Sequence, residues 1–256
     1  MTAPLAWDEG DVPLLRWAGA PAGVSVAFTS RRGGVSEGPF STLNLGALTA
    51  DEAENVAENR RRMVAAAGGD GAAATMAWQV HGADVREVDE RAAPGRFLEP
   101  GAEPFPRSDG LVTSLPGRPV VLLTADCLPI AIAREDGARL VVLHAGWRGL
   151  AAGIVERGVE AVGGAARAAV GPGAGPCCYE VGDDVAAVLR GRFGDDIVSG
   201  GRADLWLAAR LALQDAGVED VAVAGECSIC DPDRYFSHRR DRGTTGRQGI
   251  VGLLGA

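Results

Sequence analysis

Three apolar runs follow one another almost without a break in the middle of the chain: PVVLLTA at 119–125, LPIAIA at 128–133 and RLVVLHA at 139–145. Each has the length and the valine, isoleucine and leucine content of a buried strand, and the turn signal REDGA joins the last two. They are also far too short to cross a bilayer. Their ends carry chemistry: the first leads into Asp126 and Cys127, and the third ends at His144, just before Gly146-Trp147-Arg148-Gly149.

Strand-like and helical segments alternate around this centre. VSVAFTS (24–30) reads as a strand entering a glycine-rich loop, and DEAENVAENRRRMVAAAG (51–68) as a helix with acids in its first turn and glycine at its end. TMAWQV (75–80) and ADVREV (83–88) read as strands, and the proline-rich stretch at 90–109 as a surface loop. GLAAGIVERGVEAVGG (149–164) has helical spacing; RAAV then leads into GPGAGPCCYEVGDDV, a tight connector that can bring Tyr179 and Glu180 to a site. DDVAAVLRGRF and DLWLAARLALQDAG read as helices, and DVAVAGE as the last strand before a polar tail. No repeat or shift in composition divides the chain, so residues 1–256 read as a single domain mixing strands and helices.

Composition narrows the function. With 46% hydrophobic and 23% charged residues the chain is globular. A net charge of −9 argues against general nucleic-acid binding, which needs basic surface to displace counterions. All 25 basic residues are arginine, which excludes a Schiff-base lysine and a P-loop lysine; phosphate here must be held by arginine, backbone N–H groups or a helix N-terminus. The opening MTAPLAWDEGDV has neither a basic region nor an apolar core, which predicts no signal peptide and the cytosol as compartment. Five cysteines, an odd number, then predict reduced thiols.

His81, Cys127 and His144 each stand where an apolar run ends, with small residues close behind. Two imidazoles and a thiolate, with one position left for water, are what a catalytic zinc site needs, although the spacing matches no local zinc motif and leaves the geometry to the fold. The alternative is a buried thiol and imidazoles that satisfy backbone carbonyls. The remaining cysteines are the pair Cys177-Cys178 and the CxxC of Cys227 and Cys230. Four sulfurs can make a structural zinc site or a redox pair, but adjacent cysteines project apart from an extended chain, and inert thiols are the expectation. Arg31-Arg32 precede two glycines, Arg148 lies in a turn entering a helix, and Arg239, Arg240 and Arg247 sit in a Gly/Thr-rich tail, where backbone can approach a ligand, the setting for bidentate phosphate recognition. His238, amid FSHRRD, is expected to orient arginines or face water.

From about residue 28 onward the sequence resembles the laccase-domain (YfiH-like) family, whose bacterial members are also called peptidoglycan editing factor. The matching stretches are FTSRRGGVSEGPFSTLNLG, ENR at 58–60, WQVHGADV, SDGLVTSLPG, TADCLPI, HAGWRGLAAGIVE, GPGAGPCCYEVGDDV and FSHRRDRGTTGR. The resemblance implies an α+β fold of four layers, α/β/β/α, with zinc held by His81, Cys127 and His144. It implies phosphorolysis of purine nucleosides (adenosine, inosine, guanosine and methylthioadenosine) by inorganic phosphate, with adenosine deamination as a second reaction, in a monomer or homodimer. His238 stands where the family commonly has tyrosine, and RRDRGTTGR is one residue longer than usual.

On that reading Arg31, Arg148 and Arg240 are candidates for phosphate, Asn44 for the ribose hydroxyls, and Asp126, Asp84 or Glu180 for moving a proton. Rival readings are a copper-dependent phenol oxidase, a cysteine hydrolase of cell-wall precursors with Cys127 as nucleophile and His81 or His144 as base, and a non-catalytic cell-wall partner.

Overall fold

The computed structural model of the protein describes residues 5–88, 90, 95–101 and 105–255. In chain order the first strands are β1 (Leu5–Asp8), β2 (Leu14–Trp17), β3 (Val24–Thr29), β4 (Thr75–Met76), β5 (Val85–Glu87), β6 (Gly110–Thr113) and β7 (Val120–Thr124). They are followed by β8 (Leu128–Arg134), β9 (Leu140–Ala145), β10 (Ala166–Val170), β11 (Val198–Ser199), β12 (Arg202–Ala203), β13 (Val221–Val223) and β14 (Gln248–Leu254). The α-helices are α1 (Ala53–Ala66), α2 (Trp147–Ala151), α3 (Ile154–Val162), α4 (Asp183–Phe193) and α5 (Leu205–Asp215). No helix among the described residues is long and apolar enough to cross a membrane.

The three central runs are strands, but they do not share a sheet. One mixed sheet has the order β1-β2-β3-β14-β7-β4 and the other β13-β10-β8-β9-β6-β5. The chain leaves the first sheet at Thr124 and enters the second at Leu128, so residues 125–127 are the crossing. Alternation along each strand then builds three cores. Val120 and Leu122 of β7 meet Leu140 and Val142 of β9, Phe28 and Ile250 between the sheets. Val121 of β7 and Val251 of β14 face the other way, onto Met63 and Val64 of α1. Ile130, Ile132, Val141 and Leu143 of the second sheet face Val155 of α3 and Leu205, Ala208, Ala209, Ala212 and Leu213 of α5. The result is an α+β fold of four layers, helix, sheet, sheet and helix. These strands are hydrophobic throughout because both their faces are covered; each fully buried aliphatic side chain contributes about 1.5–3 kcal/mol.

Helices read from the sequence form at α1, α4 and α5, the last capped by Asp204, whose side chain accepts the N–H of Leu207 at 2.9 Å. Four readings change. The helical spacing at 149–164 is broken in two at Gly153, whose left-handed φ of +85° separates α2 from α3. The strand expected over 75–80 stops at Met76, and Trp78 beyond it makes only an isolated parallel bridge with Arg107. The proline-rich stretch is not all surface: Phe97 is fully buried and its carbonyl accepts from Arg60 Nη1 at 2.7 Å, while residues 91–94 and 102–104 of that reading lie outside the described residues. The polar tail ends in β14, an interior strand between β3 and β7. Two glycines made β14 look like coil. Gly252 is needed there, since a Cβ would come within 2.7 Å of Leu140 Cδ2 in the facing sheet.

Helix α1 also positions the glycine-rich loop before it. Its inward stripe is Val56, Asn59, Arg60, Met63 and Val64, so two polar residues enter the core. Asn59 donates to Ser36 Oγ and to the carbonyls of Thr42 and Asn44, and Arg60 Nε donates to the Leu45 carbonyl at 2.9 Å. Burial lowers the Arg60 pKa to about 10, which leaves it charged at neutral pH.

Candidate metal centre

The crossing at 125–127, the loop after β4 and the end of β9 bring His81, Cys127 and His144 together, with one ligand atom of each within 4.8 Å of the others. His144 continues the inward alternation of Leu140 and Val142 and is buried. Cys127 stands beside it because β8 and β9 pair Leu128 with Ala145. Gly146 makes room: a Cβ there would lie 2.9 Å from Cys127 Sγ and 3.6 Å from His81 Cδ2. His81 is carried by a loop that Gln79 fastens to the end of β7, its side chain donating to the Leu123 carbonyl at 2.6 Å and accepting the Leu123 N–H at 2.8 Å. His81 and Asp126 both sit at left-handed φ, +60° and +88°. Histidine and aspartate tolerate that region better than most residues, and its presence on both sides of one cluster marks a site held against local preference.

Asp109 is the residue that sequence reasoning missed. It is fully buried, and its carboxylate accepts from His144 Nδ1 at 2.8 Å and from the backbone N–H groups of Val80, His81 and Gly82 at 3.1, 2.9 and 2.7 Å. One carboxylate thus fixes both histidines and leaves His144 Nε2 facing the thiol. Burial pushes the Asp109 carboxyl up, but the bonds from His144, Gly82 and Val80 outweigh it and hold it below the ordinary carboxylate range. The signal was Asp109-Gly110 at the head of an apolar strand, obscured because it closes the proline-rich stretch. Replacing Asp109 by asparagine is expected to weaken metal binding about 10- to 100-fold. Competition with a chelating indicator measures it, and unchanged affinity would show that Asp109 does not orient the ligands.

Charge couples the pair directly. Burial raises the Cys127 pKa, yet the nearby charge and hydrogen bonds of His144, with those of His81, bring it down to about 6. Burial lowers that of His144, but the Cys127 thiolate and Asp109 raise it to about 9. Between those values the metal-free pair is thiolate and imidazolium. Alkylation of Cys127 in metal-stripped protein is therefore expected to rise through about pH 6, well below the usual thiol value of roughly 8.5. Peptide mass spectrometry across pH reads it at this one cysteine.

Two imidazoles and a thiolate, oriented by a buried carboxylate and open on one side, suit a borderline-soft divalent ion such as zinc. The open side is a cleft of about 620 Å³, within the range of small-molecule sites. Leu48, Trp78, Phe105 and Trp147 give it apolar wall, and Arg148, Arg239, Arg247 and His238 give it polar wall. Arg148 stacks on Trp147 with its Cζ 4.5 Å from the ring centre, and its guanidinium makes no hydrogen bond or ion pair among the described residues. Arg239 lies over Tyr179 at 4.7 Å and donates to the Glu180 carbonyl. Thr124 Oγ1 is buried in the wall without a hydrogen-bond partner among the described residues.

The other candidates stand elsewhere. Arg31 packs on Phe236 at 4.5 Å and donates to the carbonyls of Ser41 and Pro232. Asn44 is fully buried; its amide donates to Thr49 and Asp51, and its oxygen accepts the N–H groups of Gly46 and Arg247. Arg240 is engaged by Asp241 and the carbonyls of Ser228 and Tyr235. None of the three lines the cleft. Arginines beside glycine look alike in sequence, and only the fold separates those that hold a loop from those that face a ligand. Of the proton carriers, Asp126 lines the cleft, with its oxygens accepting from Ser228 Oγ and the Arg239 N–H. Asp84 pairs with Arg157 in solvent, and Glu180 is exposed outside the cleft.

The chain is similar to known proteins over nearly its whole length. The pattern of the family described as multi-copper polyphenol oxidoreductase laccase matches residues 25–254. A purine nucleoside phosphorylase of Deinococcus radiodurans is 41% identical over 265 residues, covering 99% of this chain and 95% of that protein. Another from Xylella fastidiosa is 40% identical over 254 residues, 92% of this chain and 94% of that protein. Among solved structures, YlmD from Geobacillus stearothermophilus superposes with a TM-score of 0.89 at 34% identity, covering 99% of this chain and 100% of that one.

Proposed function

The chain belongs to the multi-copper polyphenol oxidoreductase laccase family, close to its YfiH and YlmD members, and on that premise we propose that it is a zinc-dependent purine nucleoside phosphorylase with adenosine deaminase activity. Its substrates are adenosine, inosine, guanosine and methylthioadenosine with inorganic phosphate, and its products free purine and the pentose 1-phosphate. One observation carries the reading: His81, Cys127 and His144 converge at a cleft of nucleoside size whose wall holds four arginines, Arg60, Arg148, Arg239 and Arg247.

In phosphorolysis a phosphate oxygen bonds to C1′ as the glycosidic bond breaks, and positive charge develops on the ribose ring in between. The anion must therefore be held close and in one orientation. Arg148 is free to take it, and Arg239 and Arg247 complete the basic wall; arginine forks suit phosphate oxygens better than point charges do. Leu48, Trp78 and Phe105 receive the purine face, and the unpartnered Thr124 hydroxyl takes the hydrogen-bonding role toward ribose that the sequence suggested for Asn44. Arg31, Asn44 and Arg240 act one layer back: Asn44 holds the Arg247 backbone, and Arg240 holds the Ser228 carbonyl behind Asp126. His81, Cys127 and His144 would hold zinc, which supplies a Lewis acid and an activated water. Asp126, on the cleft wall, is the proton carrier for deamination.

A second reading has its own support, because Asp109, His144 and Cys127 also form the chain of a carboxylate, an imidazole and a nucleophilic thiol. His81 argues against it: a second imidazole aimed at the same sulfur adds a ligand and serves no acyl transfer. Copper oxidase chemistry of the laccase type needs a multi-copper cluster, and the chain has three histidines in all.

Incubation of zinc-loaded protein with inosine, with and without phosphate, separates the readings. Phosphate-dependent release of hypoxanthine supports phosphorolysis. Oxygen uptake with a phenol, or activity abolished by alkylation in metal-free protein, would replace it.

A further inference from the structure

Four of the five cysteines take no part in the cleft, and the fold gathers them. β10 and β13 are parallel neighbours paired from Ala168↔Val221 to Val170↔Val223, so the loops leaving their C-terminal ends begin side by side, and a bridge between Gly173 and Cys227 continues the pairing. The first loop supplies Cys177 and Cys178, the second Cys227 and Cys230. All four Sγ atoms lie within 4.8 Å of one another, with Cys230 Sγ 3.2 Å from that of Cys177 and 2.9 Å from that of Cys178. The expectation that adjacent cysteines point apart fails because Pro176–Cys178 form a turn, closed by the N–H groups of Cys178 and Tyr179 on the Gly175 carbonyl.

We propose that Cys177, Cys178, Cys227 and Cys230 form a second metal site, a tetrathiolate for a structural zinc ion. Sulfurs bonded to zinc at about 2.3 Å in a tetrahedron stand about 3.8 Å apart, so the cluster needs only small adjustments to close on an ion. Cys227-Ser-Ile-Cys230 has the spacing of one half of a zinc ribbon. The Gly175 N–H also points at Cys227 Sγ at 3.3 Å, a bond that favours thiolate. Four protein sulfurs leave no vacancy for substrate, which makes the site structural.

What it would hold in place is the cleft wall. Tyr179 follows Cys178 directly and carries the Arg239 guanidinium on its ring. Ser228, between the two cysteines of the second loop, donates to Asp126 Oδ1 at 2.8 Å, next to Cys127. The ion would therefore tie two loops to the wall that faces substrate.

The test is zinc content per chain after reconstitution under reducing conditions and gel filtration. Wild-type protein is expected to retain two zinc ions, Cys230→Ser one and Cys127→Ala one. Cobalt substitution distinguishes the sites, since thiolate-to-cobalt charge transfer grows with the number of sulfurs: the intense band should persist in Cys127→Ala and vanish in Cys230→Ser. Should Cys230→Ser not fold, Cys127→Ala alone decides, by keeping one ion with the tetrathiolate spectrum. One zinc in the wild type that Cys127→Ala loses entirely would overturn the proposal. So would a Cys177–Cys230 or Cys178–Cys230 disulfide found by peptide mapping of protein purified with reductant.

Discussion

Cys127→Ala is expected to empty the His81–Cys127–His144 site of its metal and to lower nucleoside cleavage at least about a thousandfold, some 4 kcal/mol of transition-state stabilisation. The size follows from the site. Among the described residues three protein ligands converge there, and the sulfur is the one that carries formal negative charge. Its removal also takes away the thiolate that raises the His144 pKa, so the remaining imidazoles offer a divalent ion two neutral donors. Folding should survive, because alanine fits any space the thiol occupied and the strands on either side are held by the cores of both sheets. Metal analysis and turnover, read on the same preparation with circular dichroism as a check on folding, test it. Full activity with the metal gone would remove the ion from the reaction.

Arg148→Ala is expected to raise the KM for phosphate about 10- to 100-fold while leaving metal content unchanged. A charge-assisted hydrogen bond is worth about 1.5–3 kcal/mol, which sets that range. Arg148 is the cleft arginine without a competing hydrogen bond or ion pair among the described residues, whereas Arg239 donates to the Glu180 carbonyl and Arg247 to those of Thr245 and Gly246. Losing it removes a ligand-facing charge and little structure. Steady-state kinetics with phosphate and nucleoside varied separately distinguish the role. A KM for phosphate that does not move would take Arg148 out of it, and a KM for nucleoside that moves instead would assign its Trp147 stack to the purine.

What the sequence discloses here follows the range of the forces involved. Local signals are legible: the apolar stripes of α1, α4 and α5, and the placement of His81, Cys127 and His144 at the ends of apolar runs. Pairing between distant strands is not. β7 and β8 are separated by three residues yet belong to different sheets, and the crossing between them, which carries Cys127, looks like any other turn. β14 hides behind glycine because its neighbours, not its own propensity, make it a strand. The same limit governs the site. Asp109 reaches His144 across the pairing of β6 with β9, and the four outer cysteines meet because β10 lies beside β13. Arginine roles divide by which carbonyls each guanidinium finds, which the order of residues does not encode.

An anomalous-difference map at the zinc edge, from crystals of the zinc-loaded protein, shows whether the two imidazoles and the thiolate hold one ion. A peak is expected within bonding distance of His81, Cys127 Sγ and His144 Nε2, with its fourth side facing the cleft. Zinc-loaded crystals with no peak between those three side chains would contradict it.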